Sequence, residues 1–314
     1  MHTRLTIAVL LLLLVFPLAA KHAGQLFYVS FAARILIFAL AATSLNLILG
    51  YGGMVSFGHA AFLGAGAYTV AILMAEGVRS AWVSWPLAVL VSALLALVIG
   101  AISLRTRGVY FIMITLAFAQ MMYYLLISMR AYGGEDGLNL ASRSRLGLGV
   151  DLADDLSFYY VVLAILATTL YLLRRLLNAR FGQVIQAIRE NETRMEAIGF
   201  PTYRYKLICF VIAGAVAGLA GALIANQNSF VSPNLLQWTQ SGTLMLMVIL
   251  GGVGYLYGGV LGAVVFLVLE EVLSSYTSHW QLGLGVVLLI IVLYARQGLA
   301  GLIAELAQKR APGG

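Results

Sequence analysis

Charge is what this chain has least of. Asp, Glu, Lys and Arg make up 10% of its 314 residues, against 62% hydrophobic residues and a mean hydropathy of +0.96. Soluble domains carry about 25% charged residues, so the scarcity excludes a soluble globular domain and indicates an integral membrane protein. Cysteine is almost missing too: Cys209 stands alone in an apolar run, which rules out an intrachain disulfide and a thiolate metal site. Short segments of alternating hydrophobicity, the mark of a membrane β-barrel, are lacking, and only helices remain as the spanning element. Neither glycine-rich stretch ends in Gly-Lys-Ser/Thr or follows a strand, so the chain has no nucleotide-phosphate loop of its own. No Ser-His-Asp, metal-ligand or His-Glu-x-x-His arrangement lies within a span, and the chain is expected not to be an enzyme.

What is present are apolar runs near 20 residues, the length that crosses a bilayer. Leu5–Ala20 is the first. No charge occurs between Arg34 and Glu76, room for two crossings separated by the break Gly50–Gly58. Further runs are Ala81–Leu104, Val109–Met129, Leu156–Leu173 and Leu207–Ala225. The uncharged interval from Lys206 to Glu270 is divided by the polar cluster Asn226–Ser241 and the glycine turn Gly251–Gly259, giving three crossings. A last span covers Leu282–Tyr294. The expected fold is an all-α polytopic helical bundle of about ten spans, some short or broken, forming one domain over residues 1–314.

Basic residues in short loops orient such a bundle. Arg105, Arg107, the cluster from Arg174 to Lys206, and Arg296, Lys309 and Arg310 fall on one side, which is expected to be cytoplasmic together with both termini. The opposite side receives the acidic loop 130–155 and the uncharged segment 226–241, while Lys21, Arg34 and Arg79 run against the assignment. The first run also resembles a signal peptide, but Lys21 and His22 occupy the positions where a small-x-small cleavage site would fall, which favours its retention as a helix.

Shifting the chain by 201 residues superposes Leu45, Ile48, Leu49, Gly50, Gly53 and Gly58 on Leu246, Ile249, Leu250, Gly251, Gly254 and Gly259. Two explanations stand, a parallel internal duplication of the kind transporters carry and a coincidence of abundant residue types. Gly214 and Gly218 have the spacing that lets helices approach closely. At membrane depth the ionisable residues are His59 and Glu270-Glu271, too few for proton coupling. The spans therefore suit a neutral or zwitterionic solute driven from elsewhere. Asn46, Ser56, His59, Asn226 and Asn228 are candidate path residues; capping of helix ends is the favoured reading for Asn226 and Asn228, and a helix-start position for His59.

The one soluble-looking stretch is the polar island 178–206. Within it Asn191 can cap a helix, Met195 and Ile198 share a face, and Gly199 with Pro201 ends it. A short amphipathic helix over Glu190–Gly199 is expected. Its interspersed Glu190, Glu192 and Glu196 favour a protein socket over an anionic lipid surface.

Several motifs together carry a family resemblance over nearly the whole chain. They are Ser44-Leu45-Asn46-Leu47 leading into Gly50-Tyr51-Gly52-Gly53, Ser56-Phe57-Gly58-His59-Ala60-Ala61-Phe62, Gly64-Ala65-Gly66-Ala67-Tyr68, Ala187-Ile188-Arg189-Glu190-Asn191-Glu192 within Gly182–Lys206, Ala217-Gly218-Leu219-Ala220-Gly221-Ala222, and Gly251–Gly262. The chain resembles the membrane-spanning permease subunits of ATP-binding-cassette importers for branched-chain amino acids, specifically the M-type of the two permeases such systems pair. The resemblance implies that the island is a coupling loop docking into a cytoplasmic ATPase, although Glu196-Ala197 and Gly199 match the EAA-type loop of importer permeases only loosely. The ATPase-coupling residues so implied are Arg189, Glu190, Asn191, Glu192, Arg194, Met195, Glu196, Ala197, Ile198 and Gly199. It also implies a second permease, two ATPase subunits that bind ATP and Mg while this chain binds no cofactor, a solute-binding protein outside the membrane, a bacterial inner-membrane location and alternating access. A urea or short-amide importer, or a stand-alone carrier or channel, are the alternatives.

Overall fold

A computed structural model describes residues 13–18, 20–21, 24–147, 151–277, 279–294 and 298–302. An almost entirely helical chain runs back and forth between two ends, one carrying the polar island and a far end carrying the 130–155 loop. The helices are α1 (Leu26–Asn46), which continues as a π-helical turn over Leu47–Tyr51, α2 (His59–Ala75), α3 (Ala81–Ser103), α4 (Val109–Ser128) and α5 (Asp155–Asn178). After the short α6 (Arg180–Glu190) and α7 (Glu192–Ala197) come α8 (Thr202–Asn228), α9 (Trp238–Gly251), α10 (Gly258–Tyr276) and α11 (Trp280–Tyr294).

Six of these are long and apolar enough to cross a membrane among the described residues: Leu26–Tyr51, α3, α4, α5, α8 and α10. About ten spans were expected. The difference has a physical cause in two places. α2 has 17 residues and α9 has 14, because an irregular segment before α2 and a 3-10 turn before α9 take up part of the depth. The expected first span, Leu5–Ala20, lies largely outside the described residues, as do the two termini.

The packing explains why one helix can be central. Within the spanning window of α1 72% of residues are buried, against 22% in α4, so α1 is surrounded by protein while α4 is mostly uncovered. α1 packs on α5, α8, α9 and α10; α2 and α3 both pack on α8. Small residues make the α2–α8 contact possible: a Cβ on Gly66 would collide with the Gly218 carbonyl, and one on Gly221 with the Leu63 carbonyl. Close backbone approach replaces the hydrophobic drive that lipid removes. The expected packing role of Gly214 and Gly218 is seen here, against Ala96 and Ser92 of α3.

The far end is tied by side chains and a two-residue antiparallel sheet, Leu138–Asn139 (β1) with Phe230–Val231 (β2). Arg143 donates to the Asn226 carbonyl at 3.2 Å, to the Leu152 carbonyl at 3.0 Å and to Asp155 Oδ1 at 2.5 Å, and lies 4.8 Å from the Phe158 ring centre. The two stretches matched by the 201-residue shift lie against each other, a Cβ on Gly50 meeting the Gly254 backbone. Glu270 pairs with Arg34 at 3.7 Å, which supplies a counter-charge for each.

Candidate coupling surface and solute path

The island folds as two helices with a break. α6 buries Gly182, Ile185 and Ile188 on one stripe, and Phe181 stacks on Tyr205 of α8 at 5.6 Å between ring centres. Asn191 is extended, with φ −156° and ψ 94°, and its Oδ1 accepts from the Arg194 N–H at 2.9 Å, capping α7. Gly199 has φ +89° and closes the helix, with its own N–H donating to the Glu196 carbonyl and the Phe200 N–H donating to the Met195 carbonyl. Cap and terminator are those expected. Two expectations are corrected. A single helix over Glu190–Gly199 is replaced by a six-residue helix behind a separate α6, because Asn191 interrupts the ladder. Met195 and Ile198 do not share a face: Met195 is buried, whereas Ile198 follows the last helical residue and is 63% exposed.

The acidic residues of α7 turn toward the bundle. Glu192 accepts from Lys206 Nζ of α8 at 2.9 Å and lies 3.7 Å from Arg107 Nε in the α3–α4 turn. Glu196, one turn later, accepts from Arg107 at 3.0 Å and from Thr202 Oγ1 at 3.0 Å. These carboxylates hold α7 against its own chain, leaving Glu190, Thr193, Arg194, Ala197 and Ile198 facing out. Arg107 and Lys206 were not singled out from sequence, since a basic residue at a span end reads first as a topology signal.

Arg189 connects the island to the centre. Its guanidinium donates to the Gly50 carbonyl at the end of α1, and its stem lies over Gly53. Behind Gly50, Asn46 Nδ2 donates to the Tyr255 carbonyl at 2.8 Å and its Oδ1 accepts from the Gly254 N–H at 3.0 Å. A continuous chain of contacts thus runs from α6 through the π-helical turn to the α9–α10 turn.

From Gly52 the backbone rises without helix into the bundle until His59 starts α2. Backbone of this kind is tolerated at membrane depth where protein buries it. Three hydroxyls from three helices fasten it: Thr115 of α4 accepts from the Phe57 N–H at 3.3 Å, Ser241 of α9 accepts from the Ala60 N–H at 2.8 Å, and Ser44 of α1 meets His59 Nε2 at 2.7 Å. Ser44 spends its one hydroxyl proton on the Ala41 carbonyl, so it accepts from His59, whose Nε2 then carries the proton. His59 Nδ1 is buried without a partner.

The candidate path residues do not form one site. Asn46 is at the island end with both amide atoms engaged; Ser56, accepting from the Gly58 N–H at 3.2 Å, and His59 are buried midway. Asn226 is at the far end, accepting from the Ser144 N–H at 2.7 Å and donating to the Ala222 carbonyl at 2.8 Å, and Asn228 is exposed beyond it.

Comparisons with known proteins agree over most of the chain. The family described as branched-chain amino acid transport system, permease component, matches residues 27–294. The high-affinity branched-chain amino acid transport system permease protein LivM of Salmonella typhimurium is 30% identical over 294 residues, covering 86% of this chain and 69% of the relative. The LivM protein of Escherichia coli is 29% identical with the same coverage. The LivH permease protein of Salmonella typhimurium is 28% identical over 132 residues, 42% of this chain and 41% of the relative. No solved structure matches.

Proposed function

The chain belongs to the branched-chain amino acid transport permease family, and from that we propose that it is the M-type membrane subunit of an ATP-binding-cassette importer for branched-chain amino acids. With a second permease of the LivH kind it forms the path, and its island receives force from a cytoplasmic ATPase. The observation that carries this reading is the Arg189 link. A surface helix pair is fastened to the end of the most buried helix, so displacement of α6 and α7 is transmitted to Gly50, and through Asn46 to the α9–α10 turn. Two packed arrangements of these contacts suffice for alternating access. The island end is then cytoplasmic, the membrane is the bacterial inner membrane, and the far end receives solute from a binding protein. ATP and Mg are held by the ATPases.

The test is uptake of labelled leucine by the assembled complex in proteoliposomes. Uptake that requires ATP and stops with vanadate is the expected result. Uptake driven by an ion gradient without ATP would assign the chain to the secondary carriers instead, and ATP-driven uptake of urea in place of leucine would move the substrate class.

A further inference from the structure

α9 has an exposed face whose chemistry does not suit lipid. Leu236, just before it, packs on Gly64 of α2, where a Cβ would collide with the leucine side chain. Gly64 lies about 17 Å short of Ala75 along α2 at ~1.5 Å per residue, well inside the span. The chain reaches that depth from β2 through a 3-10 turn over Pro233–Leu236. Around this point Asn234, Gln237, Thr239, Gln240 and Thr243 are exposed or half-exposed. Their side-chain contacts are mostly to one another: Gln237 Nε2 donates to Asn234 Oδ1 at 3.2 Å, and Thr239 Oγ1 donates to Gln237 Oε1 at 3.4 Å. The outward face of α3 at similar depth, Leu90, Val91, Leu94 and Val98, is purely aliphatic and fits hydrocarbon.

The irregular segment before α2 meets the start of α9 where this face begins, with the Phe57 and Trp238 rings 6.1 Å apart. Gly242 lies one turn along from Trp238, and the nearest atom to a Cβ there is Phe57 Cε1 at 3.9 Å. Glycine inside a helix lowers its stability, and unlike Gly66 or Gly221 this one returns no close packing within the chain. It leaves room beside two aromatic rings and a row of uncharged donors and acceptors.

We propose that this face of α9, with Phe57 and Trp238, is a solute-binding stretch of the path that takes a neutral α-amino acid with an apolar side chain. Amide and hydroxyl groups can satisfy both an ammonium and a carboxylate without imposing net charge, and the rings with the space at Gly242 receive the apolar side chain. The substrate class rests on the transport function proposed above.

In the complete transporter, Gly242→Leu is expected to lower ATP-driven leucine uptake by about tenfold or more, with assembly retained and ATP hydrolysis within about twofold of wild type. Unchanged uptake overturns the site. Loss of the second permease from the complex also overturns it, because the face is then a protein contact. Cys209 is buried, so single replacements Thr239→Cys and Gly242→Cys can be probed against a low background. Both are expected to react with a membrane-impermeant thiol reagent, more slowly when leucine is present. No reaction means the face meets lipid or protein, and a rate indifferent to leucine removes the solute assignment. If the wild-type complex takes up no neutral amino acid, the transport reading fails, while labelling without leucine still decides whether this face is water-lined.

Discussion

Glu192 sits between two cations of unequal worth. Its pair with Lys206 joins side chains 12% and 22% exposed, whereas Arg107 is 62% exposed. Exposed pairs contribute about 0.2–1 kcal/mol, while leaving a part-buried charge without its partner costs roughly 1–3 kcal/mol. Lys206→Met is therefore expected to lower thermal stability in detergent more than Arg107→Ala does, as measured by the midpoint of unfolding of the purified protein; equal shifts would show that Lys206 is effectively solvated. The residue types of this network were visible in the sequence, and their partners were not. Glu192 and Glu196 read as an outward acidic surface because their spacing fixes a common face but not its direction. Asn46 likewise stood out as a polar residue in an apolar run, yet only the contact with Gly254 and Tyr255, more than two hundred positions away, turns it from a candidate solute ligand into a post between two turns.

Among elements, α7 is the most sensitive to single changes, since six residues cannot sustain a helix without their ends. Asn191→Ala removes the cap at a cost of about 0.5–2 kcal/mol. Gly199→Ala meets no atom within 4 Å but forces a side chain into a left-handed conformation, at roughly 1–2 kcal/mol. Both are expected to speed amide hydrogen exchange over residues 192–198 while leaving exchange in α8 unchanged, a pattern that a general loss of stability would not produce. In the assembled transporter, Glu196→Ala and Gly199→Ala are expected to raise the ATP hydrolysed per leucine transported, because α7 then shifts on its mount; an unchanged ratio rejects α7 as the coupling element. Cap and terminator were legible because they are local chemistry. The preceding helix α6 was not read from the sequence, because its buried stripe of Gly182, Ile185 and Ile188 is short and set among polar residues.

For the whole molecule, the uneven covering of the spans is the main fact. α4 is 22% buried in its spanning window, and its exposed face includes Tyr110, Met113, Met121 and Tyr124, a more polar and adaptable set than the aliphatic face of α3. A single chain leaves this helix open, which fits a path shared with a second permease. Native mass measurement of the active complex is expected to find this chain together with a different permease, and an active complex containing this chain as its sole membrane subunit would reject that arrangement. By itself the sequence determined the membrane class, the helical fold, the polar island and the positions of its cap and terminator, because hydropathy, charge and capping act over at most a few turns. Tertiary structure decided which spans are full length, which way the island carboxylates point, and that the irregular segment before α2 meets the start of α9 at Phe57 and Trp238. Those outcomes depend on contacts between segments far apart in the chain. Small residues and single buried hydroxyls make them, and their local sequence looks no different from ordinary helix packing.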